Sequence, residues 1–573
     1  LFINYGEKII NDVLKTPKNF LIELNSIMLQ TPNKVALVDQ VTSITYQELN
    51  HYTNAIAKIL KNCEQVIGII NQRSIWYVIG ILGILKAGKA FVVIDPEMPD
   101  DRIKNILKQT NLQKILTFDD FIYPWDKLMS INITKLKPLN ENITIQIGDI
   151  AYLLFTSGST GTPKGVIIST SNLDSFYNNI SSIYPNIKES RFLAAFNYNS
   201  DVSIMEILIS LKTSSTLFIV NKDTILNLTS LHQYITENKI KHLLLPTILG
   251  QMFIKHYPTC PINSLLMAGE QMTYYQNTNY RVINAYGPTE FTILSHFKEI
   301  TKKERRYPIG KPFSNISELI KNENLESNYG ELYLIGQQMA IGYLNDINKT
   351  KTSFVQISDL PLYAYKTGDL VKRNDNGDLI FISRVDRQVK LHGYRIELAE
   401  IEIISKEYPH VEDALCVFNN DCLILYTVAK KEFNQTHFKD FLNTKLPSKY
   451  IPSQIKTVQE IPLTSSGKID YRFIKTINDT NKEKKQKQTI ITVEERKLLK
   501  IIKPYLKGES ILLTDNILNT SIDSLDIIEI AFKIELIFKY PIKVSDFYMY
   551  PSIKQLAMQM KIQSKQENII KIK

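Results

Sequence analysis

Glycine is scarce in this chain: 21 of 573 residues, about 4%, where globular chains usually carry roughly 7%. Any glycine-rich stretch therefore stands out. Tryptophan occurs twice. Four cysteines, Cys63, Cys260, Cys416 and Cys422, are too few and too irregularly spaced for a disulfide framework or a zinc site, and read as reduced thiols of a cytoplasmic protein. Long hydrophobic runs are missing. The longest, Ile75–Leu85, falls short of the about 20 residues that span a bilayer, so no membrane association is expected. No charged-then-apolar-then-small pattern marks a secretory leader. The first residue is Leu1, not Met, as expected of a piece of a longer protein.

What is present is an ordinary folded composition, with 44% hydrophobic and 22% charged residues, which excludes disorder for most of the chain. Its length allows roughly three to four domains of about 150 residues. The net charge of +10 comes from lysines dispersed among Asn and Ile. A nucleic-acid binder would gather them on a stripe or patch, so no nucleic-acid partner is expected. The one cluster, Lys482–Lys487, reads as a solvated linker.

Short β-branched runs alternate with amphipathic stretches in the first half. Strands are expected at Val66–Ile70, Phe91–Ile94, Lys114–Phe118 and Thr216–Val220, and helices at Ile75–Lys86 and Asp101–Gln109. Such alternation predicts α/β layers with largely parallel sheets. From about Asp386 the pattern becomes a smaller α+β unit, with a helix at Glu397–Glu407 and a strand at Leu423–Val428. A polar stretch from about Asp479 to Gln488 has little to bury. Helical spacing then returns at Val493–Lys503, Leu525–Phe538 and Ser552–Met560.

Residues 153–166 read LLFTSGSTGTPKGV: an apolar strand running into a loop in which eight of ten positions (156–165) are Gly, Ser or Thr. Glycines let the backbone approach an anion, hydroxyls and N–H groups donate to phosphate oxygens, and Lys164 adds charge. Gly165 follows Lys164, so this is not the GxxxxGK[ST] loop.

TSGSTGTPKG resembles the signature of the adenylate-forming superfamily, which includes acyl-CoA synthetases, luciferases and the adenylation domains of nonribosomal peptide synthetases. Further segments resembling family motifs follow in order: LKAGKAFVVIDPEMPDDRI (85–103), NAYGPTE (284–290), GELYLIGQQMAIGYL (330–344), YKTGDL (365–370), SRVDRQVKLHGYRIELAEIE (383–402) and PLTSSGKID (462–470). The resemblance implies a large layered α/β adenylate-forming region at 21–385 and a small α+β subdomain at 386–478. An upstream linker at 1–20, a second linker at 479–490, an all-α carrier bundle at 491–562 and a tail at 563–573 complete the expected organisation.

The same resemblance implies roles residue by residue. Thr156, Ser157, Ser159, Thr160 and Lys164 would hold the β- and γ-phosphates of ATP. Asn284 and Tyr286 would meet the adenine, Asp369 the ribose hydroxyls, and Arg384 the nucleotide. Glu290 would be the Mg2+ ligand, a hard carboxylate for a hard cation. Lys468 would be catalytic, bridging carboxylate and α-phosphate oxygens as charge develops. Asp386 would be the hinge about which the small subdomain turns between adenylation and carrier loading, with the loop around Gly393 approaching the site in the second state.

The segment FNYNSDVSIMEIL (196–208) matches the peptide-synthetase pattern in which an Asp, here Asp201, opens the substrate pocket. An α-ammonium group needs a buried carboxylate partner, so Asp201 points to an α-amino acid; capping of the following helix is its plain alternative. The remaining pocket positions are Val202, Met205, Leu244, Leu266, Ala268, Ala285, Ile293 and Leu294. All are apolar, which leaves a charged or amide side chain unsatisfied and implies an apolar amino acid, with Phe, Leu, Ile, Val and Met left open.

ILNTSIDSLD (517–526) resembles a carrier attachment site, with Ser524 as the anchor of 4′-phosphopantetheine. A phosphopantetheinyl transferase and a downstream condensation or other synthetase domain are the implied partners. The chain departs from the family pattern at Thr520-Ser521-Ile522 ahead of Asp523, at Ser200, at Ile341 and at Ser383. The expected activity is an amino-acid-activating, AMP-forming ligase with ATP and Mg2+, loading its own carrier. An acyl- or aryl-acid ligase and a non-catalytic scaffold remain alternatives.

Overall fold

A computed structural model describes residues 19–119, 125, 128–158, 162–322, 325–326, 328–357, 362–391, 394–419, 422–461, 492–506, 511–520, 522 and 524–560. Its described residues divide into two compact units. One draws on described residues within 19–158, 162–221 and 235–395, the other on those within 222–234 and 396–560.

The first unit is built on three sheets. In the largest the strands lie in the order Lys311–Pro312, His296–Ile300, Arg281–Tyr286, Ser264–Ala268, His242–Pro246, Arg191–Ala194, Thr216–Ile219, Val35–Val38 and Ser43–Thr45. Its centre is parallel, from Arg281–Tyr286 across to Val35–Val38, and both edges are antiparallel. The second sheet runs Gly342–Tyr343, Lys164–Ser169, Ile150–Thr156, Ala90–Ile94, Val66–Ile70, Lys114–Thr117 and Met129–Asn132. The third is antiparallel and centres on Tyr329–Ile335 and Tyr363–Arg373, with Leu379–Arg384 paired to the latter. The layered α/β expectation thus holds, and each strand predicted in the first half is present within a residue or two.

Local chemistry explains the elements that frame the site. The strand Ala90–Ile94 is buried at every position, as a central parallel strand covered on both faces must be. The helix Ile75–Lys86 is apolar around nearly its whole circumference and almost fully buried, because helices and sheets enclose it on all sides. It ends in Lys86, whose ammonium donates to Asn50 Oδ1, Thr53 Oγ1 and Asn54 Oδ1 at 2.6, 3.1 and 2.9 Å. Those three acceptors sit on the helix Tyr46–Leu60, opened by a Thr45/Glu48 capping box. Three acceptors satisfy all three donors of a buried cation.

In the second unit, the strands Val411–Asn419, Cys422–Ala429 and Gln454–Val458 form one sheet. The helices Leu398–Lys406 and Gln435–Lys445 accompany it. Toward the C-terminus come the helices Val493–Ile502, Ser524–Phe538, Val544–Met549 and residues 553–560. They enclose a core of their own that includes Leu498, Ile502, Ile530, Ile534, Phe547 and Leu556. This is the all-α bundle expected there.

Candidate active site

The carboxyl ends of parallel strands are where open α/β sheets bind ligands, and the strand Arg281–Tyr286 carries Asn284, Ala285 and Tyr286 at that end. Its neighbours bring Leu244 opposite Leu266, and Leu266 opposite Ile283. Val202, Met205, Leu244, Leu266, Ala268, Ala285, Ile293 and Leu294 are all buried within one apolar cluster. Ile293 reaches it through strain. Thr292 and Ile293 have φ of 53° and 71°, a conformation that a β-branched residue adopts only when its surroundings impose it. Gln338 imposes it here, donating to the carbonyls of Phe291, Thr292 and Leu294 at 3.3, 3.2 and 2.7 Å.

Asp201 is buried and comes immediately before the helix Val202–Lys212, yet its side chain makes no capping hydrogen bond to that helix. It accepts from Thr289 and from the backbone of Ile293, while its Oδ2 is buried without a partner. Burial pushes the Asp201 carboxyl up to about 6 against those two hydrogen bonds and one from its own backbone N–H, and the charge of Glu290 adds to the rise. A buried carboxylate oxygen with no donor is costly, and a cation brought to it would relieve that cost.

Behind this segment lies a second buried carboxyl. Glu206 accepts from the backbone N–H of Ala195 and Phe196 at 2.7 and 3.1 Å. Burial pushes it up to about 8, with Arg73 and the two N–H donors opposing the rise. Arg73 donates to the carbonyls of Ala194, Phe196 and Val220, and its guanidinium lies 5.2 Å from the centroid of the Tyr198 ring. These two side chains fix the chain that leads into Asp201.

A second constellation joins Tyr286, Asp369, Arg384 and Asp386. The Tyr286 hydroxyl donates to Asp369 Oδ2. Arg384 sits opposite Asp369 in the antiparallel ladder and donates from Nη1 to Asp369 Oδ1 at 2.6 Å. Its Nε and Nη2 grip both oxygens of Asp386 at 2.6 and 2.7 Å. Asn284, expected beside the adenine, spends its Nδ2 on the carbonyl of Pro308 at 2.8 Å. Lys390 lies 5.4 Å from the Tyr286 ring centroid; burial pulls its ammonium below the usual lysine range, with Asp369 opposing the shift.

The third group surrounds the phosphate-type loop. Thr156 and Lys164 face each other across the antiparallel pair Ile150–Thr156 and Lys164–Ser169. Thr156 Oγ1 is buried without a partner. The Lys164 ammonium lies 5.6 Å from the Tyr343 ring centroid. Ser157 is fully buried and donates to the carbonyl of Arg395 at 2.6 Å. Glu290 is also fully buried; its Oε1 accepts from the Tyr343 hydroxyl at 2.7 Å, and Arg395 Nη1 spans its Oε1 and Oε2 at 2.9 and 2.7 Å. Burial alone would raise the Glu290 carboxyl, but Arg395 and Lys164 outweigh it and bring it down to about 2. Among the described residues no group of three or more His, Cys, Asp or Glu side chains gathers to hold a metal ion. Glu290 alone fits a cation such as Mg2+ only if its other ligands come from phosphate oxygens and water, the usual habit of that ion.

Lys468, Ser159, Thr160 and Gly393 lie outside the described residues. Ser524 opens the helix Ser524–Phe538, and its side chain lies outside the description. Sequence reasoning assigned no role to Arg395, Tyr343, Lys390, Glu206 or Gln338. The signal for Arg395 and Lys390 was available, since both belong to the hairpin that follows Asp386.

Comparison with known proteins gives two family matches: AMP-binding enzyme over residues 26–344 and phosphopantetheine attachment site over residues 496–558. Among curated relatives, tyrocidine synthase 1 of Brevibacillus parabrevis is 30% identical over 567 residues, covering 92% of this chain and 51% of the relative. Bacitracin synthase 1 of Bacillus licheniformis is 31% identical over 470 residues, covering 77% of this chain and 9% of the relative. The chain thus spans about half the length of the first relative and far less of the second. Among solved structures, a holo nonribosomal peptide synthetase protein with adenylation and PCP domains, bound to a vinylsulfonamide inhibitor, has a TM-score of 0.79 at 22% identity, covering 94% of this chain and 96% of that one. The o-succinylbenzoate CoA synthetase of Bacillus subtilis has a TM-score of 0.69 at 18% identity, covering 80% and 98%. At these identities the structural likeness is one of fold.

Proposed function

The chain belongs to the AMP-binding enzyme family, in its nonribosomal peptide synthetase branch with an adenylation region followed by a carrier region, and from that premise we propose that it activates an apolar α-amino acid with Mg-ATP and loads it onto its own carrier. One observation carries the amino-acid part: the buried, unpartnered oxygen of Asp201. An α-ammonium group supplies the donor and the charge that this oxygen lacks. Acyl and aryl acids, whose ligases share the fold, supply neither.

In this reading the substrate ammonium pairs with Asp201 while its side chain enters the apolar cluster of Val202, Met205, Leu244, Leu266, Ala268, Ala285, Ile293 and Leu294. Two alanines leave room there, and no side chain offers a partner to a polar substrate group. The carboxylate then lies toward Thr156, Ser157 and Lys164, where the phosphates of ATP would be held with Ser159 and Thr160. Tyr286 lies against the adenine, and Asp369 accepts from the ribose, oriented by Arg384. Fixing two anions in register supplies most of what this reaction requires. Lys468 neutralises charge as the carboxylate attacks the α-phosphorus and pyrophosphate leaves. Mg2+ at Glu290 supplies charge neutralisation on the phosphates when bound. 4′-Phosphopantetheine, attached at Ser524 by a phosphopantetheinyl transferase, supplies the thiol that accepts the aminoacyl group. Asp386 is the hinge between the two half-reactions, and a downstream condensation or other synthetase domain takes the loaded product. Among the described residues no helix is long and apolar enough to cross a membrane.

The test is amino-acid-dependent exchange of labelled pyrophosphate into ATP, across the twenty amino acids together with fatty and benzoic acids. A response to one or a few apolar amino acids is expected. A response to the non-amino acids alone refutes the role of Asp201, and no response to any acid refutes activation of a proteinogenic apolar amino acid and favours a non-catalytic scaffold or a non-proteinogenic substrate.

A further inference from the structure

Tyr286 and Asp369 meet across two sheets. Tyr286 stands on the strand Arg281–Tyr286 of the largest sheet and Asp369 on the strand Tyr363–Arg373 of the third, and one side-chain hydrogen bond joins them. Opposite Tyr286 in the antiparallel ladder is His296. It is fully buried, and its ring meets the Tyr286 ring edge to face, with centroids 5.8 Å apart. His296 Nε2 lies 2.5 Å from Glu318 Oε2. A carboxylate only accepts, so Nε2 carries the proton, and Nδ1 can accept from the Ser295 hydroxyl at 2.8 Å. Glu318 belongs to the strand Ser317–Asn322 of the third sheet, and its other oxygen accepts from Arg373 Nη1 at 2.7 Å. Arg373 ends the strand that carries Asp369.

Three side chains thus run from the ladder partner of Tyr286 to the strand of Asp369, and close a ring with the Tyr286–Asp369 bond. Burial alone would raise the Glu318 carboxyl, but His296 and Arg373 outweigh it and hold it below the usual carboxylate range. Hydrogen bonds to an ionised group are directional as well as strong, so they fix a geometry that apolar packing would leave loose. Neither His296 nor Glu318 has a part in the chemistry described above, and well-packed apolar side chains would serve stability as well as a buried ionic group does. We propose that His296, tied to Glu318, is a positioning residue for the nucleotide: it fixes the Tyr286 ring relative to Asp369 and so sets how tightly the adenosine part of ATP is held. This rests on the reading that puts adenine against Tyr286 and ribose on Asp369, and adds to it the group that keeps those two in register.

Two variants separate the tie from the ring. His296→Phe keeps an aromatic edge toward Tyr286 and loses both hydrogen bonds, whereas His296→Gln loses the ring and keeps a donor for Glu318. Pyrophosphate exchange in the full chain, with ATP and with 2′-deoxy-ATP, reads both. His296→Phe should raise KM for ATP about tenfold, short of the about hundredfold that a 1 Å misplacement can cost. It should leave kcat and the amino-acid KM within about twofold, the mark of lost ground-state binding. It should also narrow the parent's preference for ATP over 2′-deoxy-ATP, because Asp369 is no longer held in register. His296→Gln should stay within about threefold of the parent. Should His296→Phe fail to fold, Arg373→Met, at the half-exposed end of the chain, decides through a smaller rise in the same KM. An unchanged KM for ATP in His296→Phe and Arg373→Met overturns the proposal, as does a kcat that falls together with both KM values rising, or a Gln variant worse than the Phe one. A parent that exchanges with ATP and 2′-deoxy-ATP alike, or not at all, overturns instead the nucleotide reading beneath it.

Discussion

Replacing Asp201 with Asn should make the protein more stable and the enzyme far worse. The carboxyl is buried, and its rise from an ordinary 3.8 to about 6 corresponds to about 3 kcal/mol of disfavoured ionisation. The sign follows from linkage. A carboxyl whose folded value lies above its unfolded one loses stability as pH rises from the unfolded value through the folded one, so at pH 7 the full penalty is present. Asn keeps an oxygen to accept from Thr289 and Ile293 and carries no charge, so up to about 3 kcal/mol should return to the folded state. Catalysis moves the other way, because a buried ammonium left without its carboxylate costs about 3–5 kcal/mol. That is a loss of about two to nearly four orders of magnitude in kcat/KM for the amino acid, at 1.36 kcal/mol per factor of ten. Denaturant unfolding at pH 7 reads the first quantity and pyrophosphate exchange the second. A variant that is less stable than the parent and still exchanges within threefold would make Asp201 a structural group, and the amino-acid reading would fall with it.

Three further outcomes follow from neighbouring groups. The kcat/KM for the amino acid should be flat above about pH 6 and fall about tenfold per pH unit below it, as Asp201 takes up a proton; a profile flat to pH 5 would contradict this. Glu206→Gln should raise stability at pH 7 by up to about 3 kcal/mol, because burial holds the parent carboxyl at about 8 while the amide oxygen can still accept from Ala195 and Phe196. The parent's deficit should grow from about pH 4.5 to 8 and then level, as denaturant unfolding at a series of pH values would show. Ala285→Leu narrows the apolar cluster and should lower kcat/KM for the largest accepted amino acid by at least about tenfold, with smaller substrates losing less, since a misfitted methylene is worth about 1–3 kcal/mol.

Elements with a strong local cause were legible in the sequence. The helix Ile75–Lys86 was read to the residue, because its apolar run is bounded by polar turns. The phosphate-type loop stood out because glycine is otherwise rare. Asp201 shows where such reasoning stops: an Asp before a helix is equally a cap and a ligand, and only its lack of a capping bond separates the two. Lys86 gave no hint of burial, since its acceptors lie more than thirty positions upstream. The left-handed turn at Thr292 and Ile293 contains no glycine to announce it. It is held by Gln338, whose contacts lie 44 to 47 positions away. Arg395 was quoted within a motif, but its partner Glu290 is 105 positions distant. No local pattern encodes that pairing.

The two arginines on either side of Asp386 are tied to the site by different means. Arg384 precedes it on the strand Leu379–Arg384, whose backbone is hydrogen-bonded to the strand carrying Asp369. Its contact with the Asp369 carboxylate is therefore held by a sheet as well as by a guanidinium. Arg395 follows it on a hairpin that meets the site through side chains and one serine hydroxyl. Parting a ladder means breaking a row of backbone hydrogen bonds, whereas the Arg395 contacts are a few side-chain bonds, so the Arg384–Asp369 pairing is the more firmly held of the two.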